Sequence, residues 1–414
     1  MTEPERSGKA IGIAAVCVLV YFFTNGMSLF VPQNLFPRFM ETFGSTAAEV
    51  SRTTAITFAI SGLLAPFVGA AIDRFGVVRV IRAGLLVLGL SFAAYPAARS
   101  LQDLYALHAL IAIGLILSGL MPNVVLLSHW FRERRGTAVG VLVAGSSLAG
   151  ATLPVAISPL VNNPAYGWRV GVGVLAGAFW LLAVVPGFIV LREPPTQTAP
   201  ADGKPAWSAD GVSFAAALRT RTLWCLAVGS ACLWFAIQAM TSQITIYFEQ
   251  EAGLAPQRAT ALYSTILACS VAGKFAFGAI SDRFTKRGVM VATSLVLLVG
   301  CLLLFTSGPA GIGLARNPAQ LTAFAVIFGL GFGGSFTLIQ LVAVESFGQL
   351  ALGRILGVVI FVDTMGGALG TLLAGQMRTA TGDYFLTFAV VTVVALVAVA
   401  NVLLIRPVTR PSTA

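Results

Sequence analysis

Two ionisable side chains, Lys274 and Asp363, lie inside long apolar stretches of the chain. Lys274 belongs to the stretch 254–281, in which the only other charge is Arg258, and Asp363 belongs to 356–377, which has no other charge. An ion near the centre of a bilayer is so costly that it usually faces a cavity or a partner and has a function. One cation and one anion at similar depth therefore predict a substrate-binding site, a proton switch, or both.

The composition indicates that these stretches cross a membrane. The chain has 414 residues, of which 57% are hydrophobic and 10% charged, and a soluble domain is normally far less apolar. Cutting the sequence at charges and turn residues gives apolar segments of about 20–28 residues, each long enough to cross a bilayer as a helix. We predict an all-α polytopic membrane protein whose twelve transmembrane helices are 10–32, 48–72, 78–98, 103–129, 134–160, 169–191, 222–248, 257–281, 288–307, 319–347, 353–377 and 383–405.

The net charge of +10 does not indicate a nucleic-acid partner, because its distribution follows the predicted topology. With the N-terminus inside, most of the 26 Lys and Arg residues fall on cytoplasmic segments, as the positive-inside rule requires. We therefore expect a multi-pass protein of the inner (plasma) membrane with both termini in the cytoplasm. Neither the five cysteines nor the two histidines have the spacing of a metal site, and no cofactor is expected.

The two halves of the chain resemble each other. The longest polar stretch separates residues 1–191 from residues 222–414 and is predicted to be a cytoplasmic linker of residues 192–221. The motif GAAIDRF at 69–75 returns as GAISDRF at 278–284. Such parallel repeats are typical of transporters that rock two six-helix halves about a central site.

A charged loop motif lies between the second and third predicted helices and reads GAAIDRFGVVR over residues 69–79. It resembles the loop signature of the major facilitator superfamily, and the second copy at 278–284 is a weaker match. The resemblance implies a cytoplasmic charge lock between helices that breaks and re-forms as the halves move. The predicted gating residues are Asp73, Arg74, Arg79, Asp282 and Arg283.

Another motif leads into the fifth predicted helix and reads WFRERRGTAVG over residues 130–140. It resembles the signature of the monocarboxylate transporter family and of the related oxalate/formate antiporters, in their bacterial members. The resemblance implies a transporter rather than an enzyme, with a basic residue in the eighth helix, where this chain has Lys274. In the eleventh helix, where the antiporters have a second basic residue, this chain has Asp363, so a doubly cationic dicarboxylate site is not expected.

Five further polar residues at matching depths are predicted to complete the substrate site. They are Tyr21 and Asn25 in the first helix, Asn123 in the fourth, Gln238 in the seventh and Gln340 in the tenth. In the repeat, Ser146 is the counterpart of Asp363. Each hydroxyl or amide could hydrogen-bond a carboxylate, and each could equally bond a neighbouring helix.

These residues lead to one hypothesis and three alternatives. The hypothesis is proton-coupled transport of a small monocarboxylate, either lactate- or pyruvate-like or an aromatic acid, in which Lys274 attracts the carboxylate and Asp363 competes for Lys274 until it is protonated. The alternatives are an organic-anion exchanger without proton coupling, an efflux pump for amphiphilic compounds, and a membrane sensor that does not transport. The expected partners are the substrate, H+ and the lipid bilayer, and the sequence is compatible with a monomer.

Overall fold

The computed structural model of the protein describes residues 3–131, 135–193, 211–308, 311–348 and 350–406. Most of this part of the chain is α-helical, as predicted. Residues 132–134 of the motif at 130–140 lie outside the described residues, and so do residues 194–210 of the predicted linker.

The first half consists of long helices with short irregular turns. Its elements are α1 (Glu3–Asn25), a π-helical turn (Gly26–Phe30), α2 (Val31–Asn34), α3 (Phe36–Phe43), α4 (Ala47–Phe75), α5 (Val77–Ala94), a 3₁₀ turn (Tyr95–Ala97), α6 (Leu101–Ser118), α7 (Leu120–Trp130), α8 (Arg135–Val161), α9 (Gly167–Phe179), a second π-helical turn (Trp180–Val184) and α10 (Val185–Ile189). Each π-helical turn joins two α-helices of one predicted span, so the first and sixth spans each contain one widened turn.

The second half has the same character, with one β-hairpin. Its elements are α11 (Phe214–Leu218), α12 (Arg221–Gln250), α13 (Pro256–Arg283), α14 (Lys286–Leu302), β1 (Phe305–Gly308), β2 (Gly311–Leu314), α15 (Pro318–Phe347), α16 (Leu352–Thr381) and α17 (Phe385–Leu403).

Eleven helical segments of the described residues are long and apolar enough to cross a membrane. The helix α14 corresponds to the predicted ninth span, 288–307, but has 17 residues and ends at Leu302. The following residues instead form the antiparallel hairpin of β1 and β2, in which Phe305 pairs with Leu314. The apolar run continues through this boundary, so composition could not place it, whereas the glycines of the hairpin favour a turn over further helix.

The predicted helix 103–129 is interrupted at Gly119, between α6 and α7. The side-chain nitrogen of Asn123 donates hydrogen bonds to the carbonyl oxygens of Ser118, at 2.8 Å, and Gly119, at 2.7 Å. Asn123 is fully buried, and carbonyls left open by a helix break need such donors. The side-chain nitrogen of Asn123 therefore has a structural role at the break. Its side-chain oxygen is buried without a hydrogen-bond partner among the described residues, and the substrate-binding role of Asn123 stays a prediction.

Glycines bring α13, α14 and α15 into backbone contact. A Cβ added at Gly333 would lie 1.9 Å from the Ser270 carbonyl oxygen, and one at Gly273 would lie 2.3 Å from the Leu330 carbonyl oxygen. Gly331 leaves the same kind of room for the backbone of α14. The glycine run of α15 therefore serves helix packing, as small residues do in membrane helices generally.

A second close approach joins α12 and α16. A Cβ at Gly366 would lie 2.4 Å from the Ala231 carbonyl oxygen, and one at Gly370 would lie 2.4 Å from the Phe235 carbonyl oxygen. The two helices therefore touch along their backbones for at least one turn. This contact places Asp363, one turn before Gly367, against α12.

The chain divides into two compact units. The first unit comprises residues 1–194, 241–268 and 371–383, and the second comprises residues 195–240, 269–370 and 384–414. The first unit thus contains α1–α10 together with one end each of α12, α13 and α16. The division into the halves 1–191 and 222–414 stays a prediction based on the repeat.

Replacing Gly333 by alanine should destabilise the protein, because the new Cβ would meet backbone atoms of α13 that have no free space to move into. We expect a loss of roughly 1–3 kcal/mol of unfolding free energy, seen as a lower unfolding temperature in detergent. Gly357→Ala in α16 is the matched control, because nothing lies within 4 Å of its Cβ position and alanine is the better helix former. Equal unfolding temperatures for the two variants would contradict the close packing of α13 and α15.

Asn123→Ala should lower the unfolding free energy by about 1–3 kcal/mol, because two buried carbonyls lose a donor. The control is Asn401→Ala, whose side chain bonds only the Val397 carbonyl, at 3.0 Å, within an unbroken helix. Unfolding temperature and ligand affinity should be measured on both variants. Weaker ligand binding at an unchanged unfolding temperature would argue for the substrate-binding role of Asn123 instead.

Candidate functional site

Lys274 lies in α13 with 7% of its surface exposed, in the second unit. Its Nζ atom lies 4.8 Å from the centroid of the Phe336 ring of α15, which is the geometry of a cation–π interaction. Trp234 of α12 packs edge-on against Phe336, with 5.9 Å between the ring centroids, and against Phe332, with 6.3 Å. The cation therefore lies beside an aromatic wall formed by Trp234, Phe332 and Phe336.

Asp363 lies in α16, in the same unit, and is also 7% exposed. Ser230 of α12 donates a hydrogen bond to its Oδ2 atom at 3.1 Å. The Thr364 hydroxyl donates to the Ile360 carbonyl at 2.6 Å and lies 3.3 Å from the Asp363 Oδ1 atom. The close approach of α12 and α16 makes the bond from Ser230 possible, and this bond orients the carboxyl group.

The predicted amides Gln238 and Gln340 share helix faces with the aromatic wall. Gln238 follows Trp234 by four residues in α12, and Gln340 follows Phe336 by four residues in α15, and this spacing places side chains on one face. Gln238 is 2% exposed, and its Cγ atom lies 3.2 Å from the Cβ position of Gly367. The second unit therefore contains four of the residues predicted from the sequence, Lys274, Asp363, Gln238 and Gln340, and their common role in one substrate site stays a prediction.

Tyr21 and Asn25 of α1 belong to the first unit. The Ser146 hydroxyl of α8 donates a hydrogen bond to the Asn25 side-chain oxygen at 2.8 Å, and the buried Tyr21 hydroxyl is a neighbour of the same serine. The helices are close here, since a Cβ at Gly26 would lie 2.7 Å from the Ala149 Cβ. The first unit thus has a polar cluster of its own, made of neutral groups.

The five predicted gating residues lie at helix ends and are exposed; they are Asp73, Arg74, Arg79, Asp282 and Arg283. Within the described residues, none of them makes an ion pair with an N···O distance of 4.0 Å or less. The Arg74 guanidinium lies 5.3 Å from the centroid of the Phe75 ring. A charge lock formed by these residues stays a prediction.

Ion pairs occur elsewhere in the first unit, in α3 and near the last residues of α12 and α16. Arg38 of α3 bonds Glu41 at 2.9 Å and also pairs with Glu249 of α12. Arg378 of α16 pairs with Glu251 at 3.3 Å. Apart from Glu41, these side chains are between 12% and 19% exposed, so water screens them less than it screens pairs on an open surface.

Hydrogen bonds between polar side chains extend this group of ion pairs. They run from Gln243 to Ser51 at 2.7 Å, from Thr260 to Asn34 at 3.3 Å and from Tyr263 to Gln33 at 3.2 Å. The amide nitrogens of Gln33 and Asn34 and the hydroxyl of Ser264 are buried without a hydrogen-bond partner. We call the residues of these ion pairs and hydrogen bonds, together with Ser264, the polar seam.

Ser230, Phe336 and the pair of Arg38 with Glu249 were not among the residues predicted from the sequence. A signal existed for the first two, because Ser230 precedes Trp234 by four residues and Phe336 precedes Gln340 by four. No comparable signal existed for Arg38 and Glu249, which lie 211 positions apart. Their pairing depends on tertiary packing.

His108 of α6 has both ring nitrogens engaged by side chains of the first unit. The Thr57 hydroxyl lies 2.8 Å from Nδ1, and the Tyr95 hydroxyl lies 2.9 Å from Nε2. Throughout the described ranges, no group of three or more His, Cys, Asp or Glu side chains could hold a metal ion. His108 therefore belongs to a buried hydrogen-bonded group rather than to a ligand set.

Known sequences resemble this chain over most of its length. The family model of the Major Facilitator Superfamily matches residues 13–314 and 253–414. Monocarboxylate transporter 13 of Rattus norvegicus is 28% identical over 406 residues, which are 94% of this chain and 87% of the relative. The uncharacterized MFS-type transporter YcxA of Bacillus subtilis (strain 168) is 24% identical over 386 residues, which are 91% and 90% of the two chains.

Among solved structures, one similar fold is that of a bacterial homolog to the human lysosomal transporter Spinster, in an inward-facing and unoccupied conformation. Its TM-score is 0.79 at 16% sequence identity, and the match covers 100% of both chains. At this identity the likeness concerns the fold. The helical architecture and the family match together lead to one conclusion: the chain belongs to the major facilitator superfamily, as a multi-pass membrane transporter and not an enzyme.

Proposed function

We propose that this transporter carries a small organic monocarboxylate together with a proton. The observation that carries the proposal is the presence of Lys274 and Asp363 in one compact unit, each 7% exposed and each placed against α12 or the aromatic wall. Buried ions stabilise a fold poorly compared with apolar packing, and inside a membrane they usually serve a function. The relatives named monocarboxylate transporters support a carboxylate as the substrate.

In the proposed cycle the Lys274 ammonium binds the substrate carboxylate. Ionised Asp363 competes for this cation, because two anions near one ammonium repel each other. A proton that binds to Asp363 removes its negative charge and leaves Lys274 to the substrate, so the proton and the anion bind together. On the other side of the membrane, loss of the proton restores the competing carboxylate and favours release of the anion.

The aromatic wall supports an aromatic acid over a lactate- or pyruvate-like acid as the substrate. Rings of Trp234, Phe332 and Phe336 would pack against a planar apolar body, while Lys274 holds its carboxylate. Gln238 and Gln340 are placed to bond further polar groups. Binding pockets of this kind commonly combine apolar walls with a few polar groups that set the orientation.

Exposure of the site would alternate between the two membrane faces. We propose that the polar seam is the gate on the outer side and that the exposed residues Asp73, Arg74, Arg79, Asp282 and Arg283 form the gate on the cytoplasmic side, where both termini lie. Apolar packing stabilises a contact that stays permanently closed. A polar contact can open at a small cost in free energy, because water replaces the hydrogen-bond partners that separate. The amide nitrogens of Gln33 and Asn34, which have no hydrogen-bond partner among the described residues, would gain hydrogen bonds to water when the seam opens.

Asp363→Asn should abolish the response to a pH gradient and keep exchange of substrate for substrate. The amide cannot ionise, so it no longer competes with the anion for Lys274. The measurement is uptake of labelled benzoate and of labelled lactate by purified protein in liposomes, with and without an inward proton gradient. Wild-type uptake should rise when the solution outside the liposomes is made more acidic. Benzoate should inhibit the uptake of labelled lactate more strongly than acetate does.

Two further variants make this experiment decisive. Lys274→Ala should abolish uptake and exchange alike, whereas the exposed Asp103→Asn should behave as wild type. If wild-type uptake is the same with and without the pH gradient, proton coupling is rejected and the anion exchanger becomes the favoured alternative. Undiminished uptake of an amphiphilic compound by Lys274→Ala, without carboxylate uptake by the wild type, would instead favour the efflux pump.

Arg38→Ala should open the polar seam more often, because Glu41 and Glu249 then lose their shared partner. The reporter is Ser264→Cys in a chain whose native cysteines are replaced, labelled by a membrane-impermeant maleimide. We expect labelling to be roughly 5–10 times faster, corresponding to about 1–1.5 kcal/mol for a partly shielded charged contact. The control is Arg316→Ala, and equal labelling rates in the two variants would show that the ion pairs do not hold the seam closed.

A further inference from the structure

An arginine-lined cleft of about 470 Å³ lies within the first unit, where α4 meets α5 and α10 ends. Its charged lining consists of Arg74, Arg79, Arg82, Arg192 and Glu193. The cleft shares no residue with the Lys274 and Asp363 site, but Arg74 and Arg79 also belong to the proposed cytoplasmic gate. Four cations beside one anion indicate a site for a negatively charged group.

Arg82 is fixed in this cleft by the end of α10. Its Nη2 atom donates to the carbonyl oxygens of Phe188, at 2.8 Å, and Leu191, at 2.9 Å. These bonds satisfy carbonyls that the helix end leaves open. They bind the side chain without neutralising its charge, so the guanidinium remains a positive element of the lining.

Glu193 approaches the cleft over Gly76, the residue between α4 and α5. Its Oε1 atom lies 2.5 Å from the Cβ position of Gly76, whose φ is +85°, so only glycine leaves room for it. Within the described residues, neither Glu193 nor the four arginines of the cleft make an ion pair of 4.0 Å or less. The arginines therefore retain an excess of positive charge.

The cleft lies at the level of the membrane surface. The membrane-spanning segments Ala47–Phe75 and Gly167–Ile189 both end at it, and Val77–Ala97 begins there. Large apolar side chains are exposed beside the arginines. Phe75 lines the cleft and is 52% exposed, and Phe188, whose ring centroid lies 5.4 Å from the Arg82 guanidinium, is 39% exposed. We call these exposed apolar side chains the apolar ledge. A ligand bound at this level would contact both the positive charge of the arginines and the apolar ledge.

We infer that this cleft binds a phosphate group, and the apolar ledge assigns that group to the head of an anionic phospholipid. Arginine forks bond phosphate oxygens through two parallel N–H groups, and basic pockets at membrane surfaces bind anionic head groups. The acyl chains would lie along Phe75 and Phe188. Glu193 would oppose binding, because its carboxylate occupies the same cleft.

The test is native mass spectrometry of the full-length protein in detergent, titrated with phosphatidylglycerol or with phosphatidylcholine of the same acyl chains. Phosphatidylglycerol should bind more tightly. Arg192→Gln should weaken its binding ~5-fold, Glu193→Gln should strengthen it, and the exposed Arg354→Gln outside the cleft should leave it unchanged. Unfolding temperatures without lipid should match the wild type for all three variants.

A second arm separates the sources of the phosphate group. Glycerol 1-phosphate and inorganic phosphate are added as competitors, and the lipid should outcompete both by a wide margin. If they bind as tightly as the lipid, the cleft is a phosphate site but the lipid source is wrong. Equal binding of the two lipids, or identical phosphatidylglycerol binding by Arg192→Gln, Glu193→Gln and the control, would overturn the proposal.

Discussion

The cost of withdrawing polar groups from water governs the arrangement of this protein. Lipid offers neither hydrogen bonds nor counter-charges, so each such group inside a spanning segment depends on what its own fold supplies. The Phe336 ring faces the Lys274 ammonium, Ser230 bonds the Asp363 carboxyl, and Asn123 bonds the carbonyls of a broken helix. The chain thus has a few buried polar or ionisable side chains whose desolvation is unfavourable, and contacts from neighbouring helix residues position each of them.

Close helix packing makes these contacts possible. Glycines at 333, 366 and 370 let backbones approach to distances at which no side chain would fit. As a result, α12 can reach Asp363 through the short side chain of Ser230, and α13 can bring Lys274 against the rings of α15. The glycine run of α15, GLGFGG over residues 329–334, lies against the backbones of α13 and α14 and serves helix packing.

The polar seam and the arginine-lined cleft, both in the first unit, differ in how their charges are arranged. In the polar seam, acids and bases form ion pairs that are mostly shielded from water. In the cleft, four arginines lie with a single glutamate and retain excess positive charge. A surface of paired charges can close on itself, whereas a surface of like charges attracts an external anion. The first arrangement suits the proposed outer gate. The second, which includes the gating residues Arg74 and Arg79, suits a contact with lipid head groups.

The sequence by itself determined the helical membrane class, the superfamily and the most unusual residues of the site. Hydropathy and charge are summed over whole segments, so the spans could be read without knowing any contact, and Lys274 and Asp363 stood out because their surroundings in the chain are apolar. The end of α14 and the break at Gly119 could not be predicted from the sequence, because both lie within continuous apolar runs. Only the tertiary structure decided that Phe336 faces Lys274, that Asn123 bonds backbone carbonyls and that Arg38 meets Glu249. Those contacts join residues on different helices or across a local break, and their energies depend on distances that no local pattern encodes.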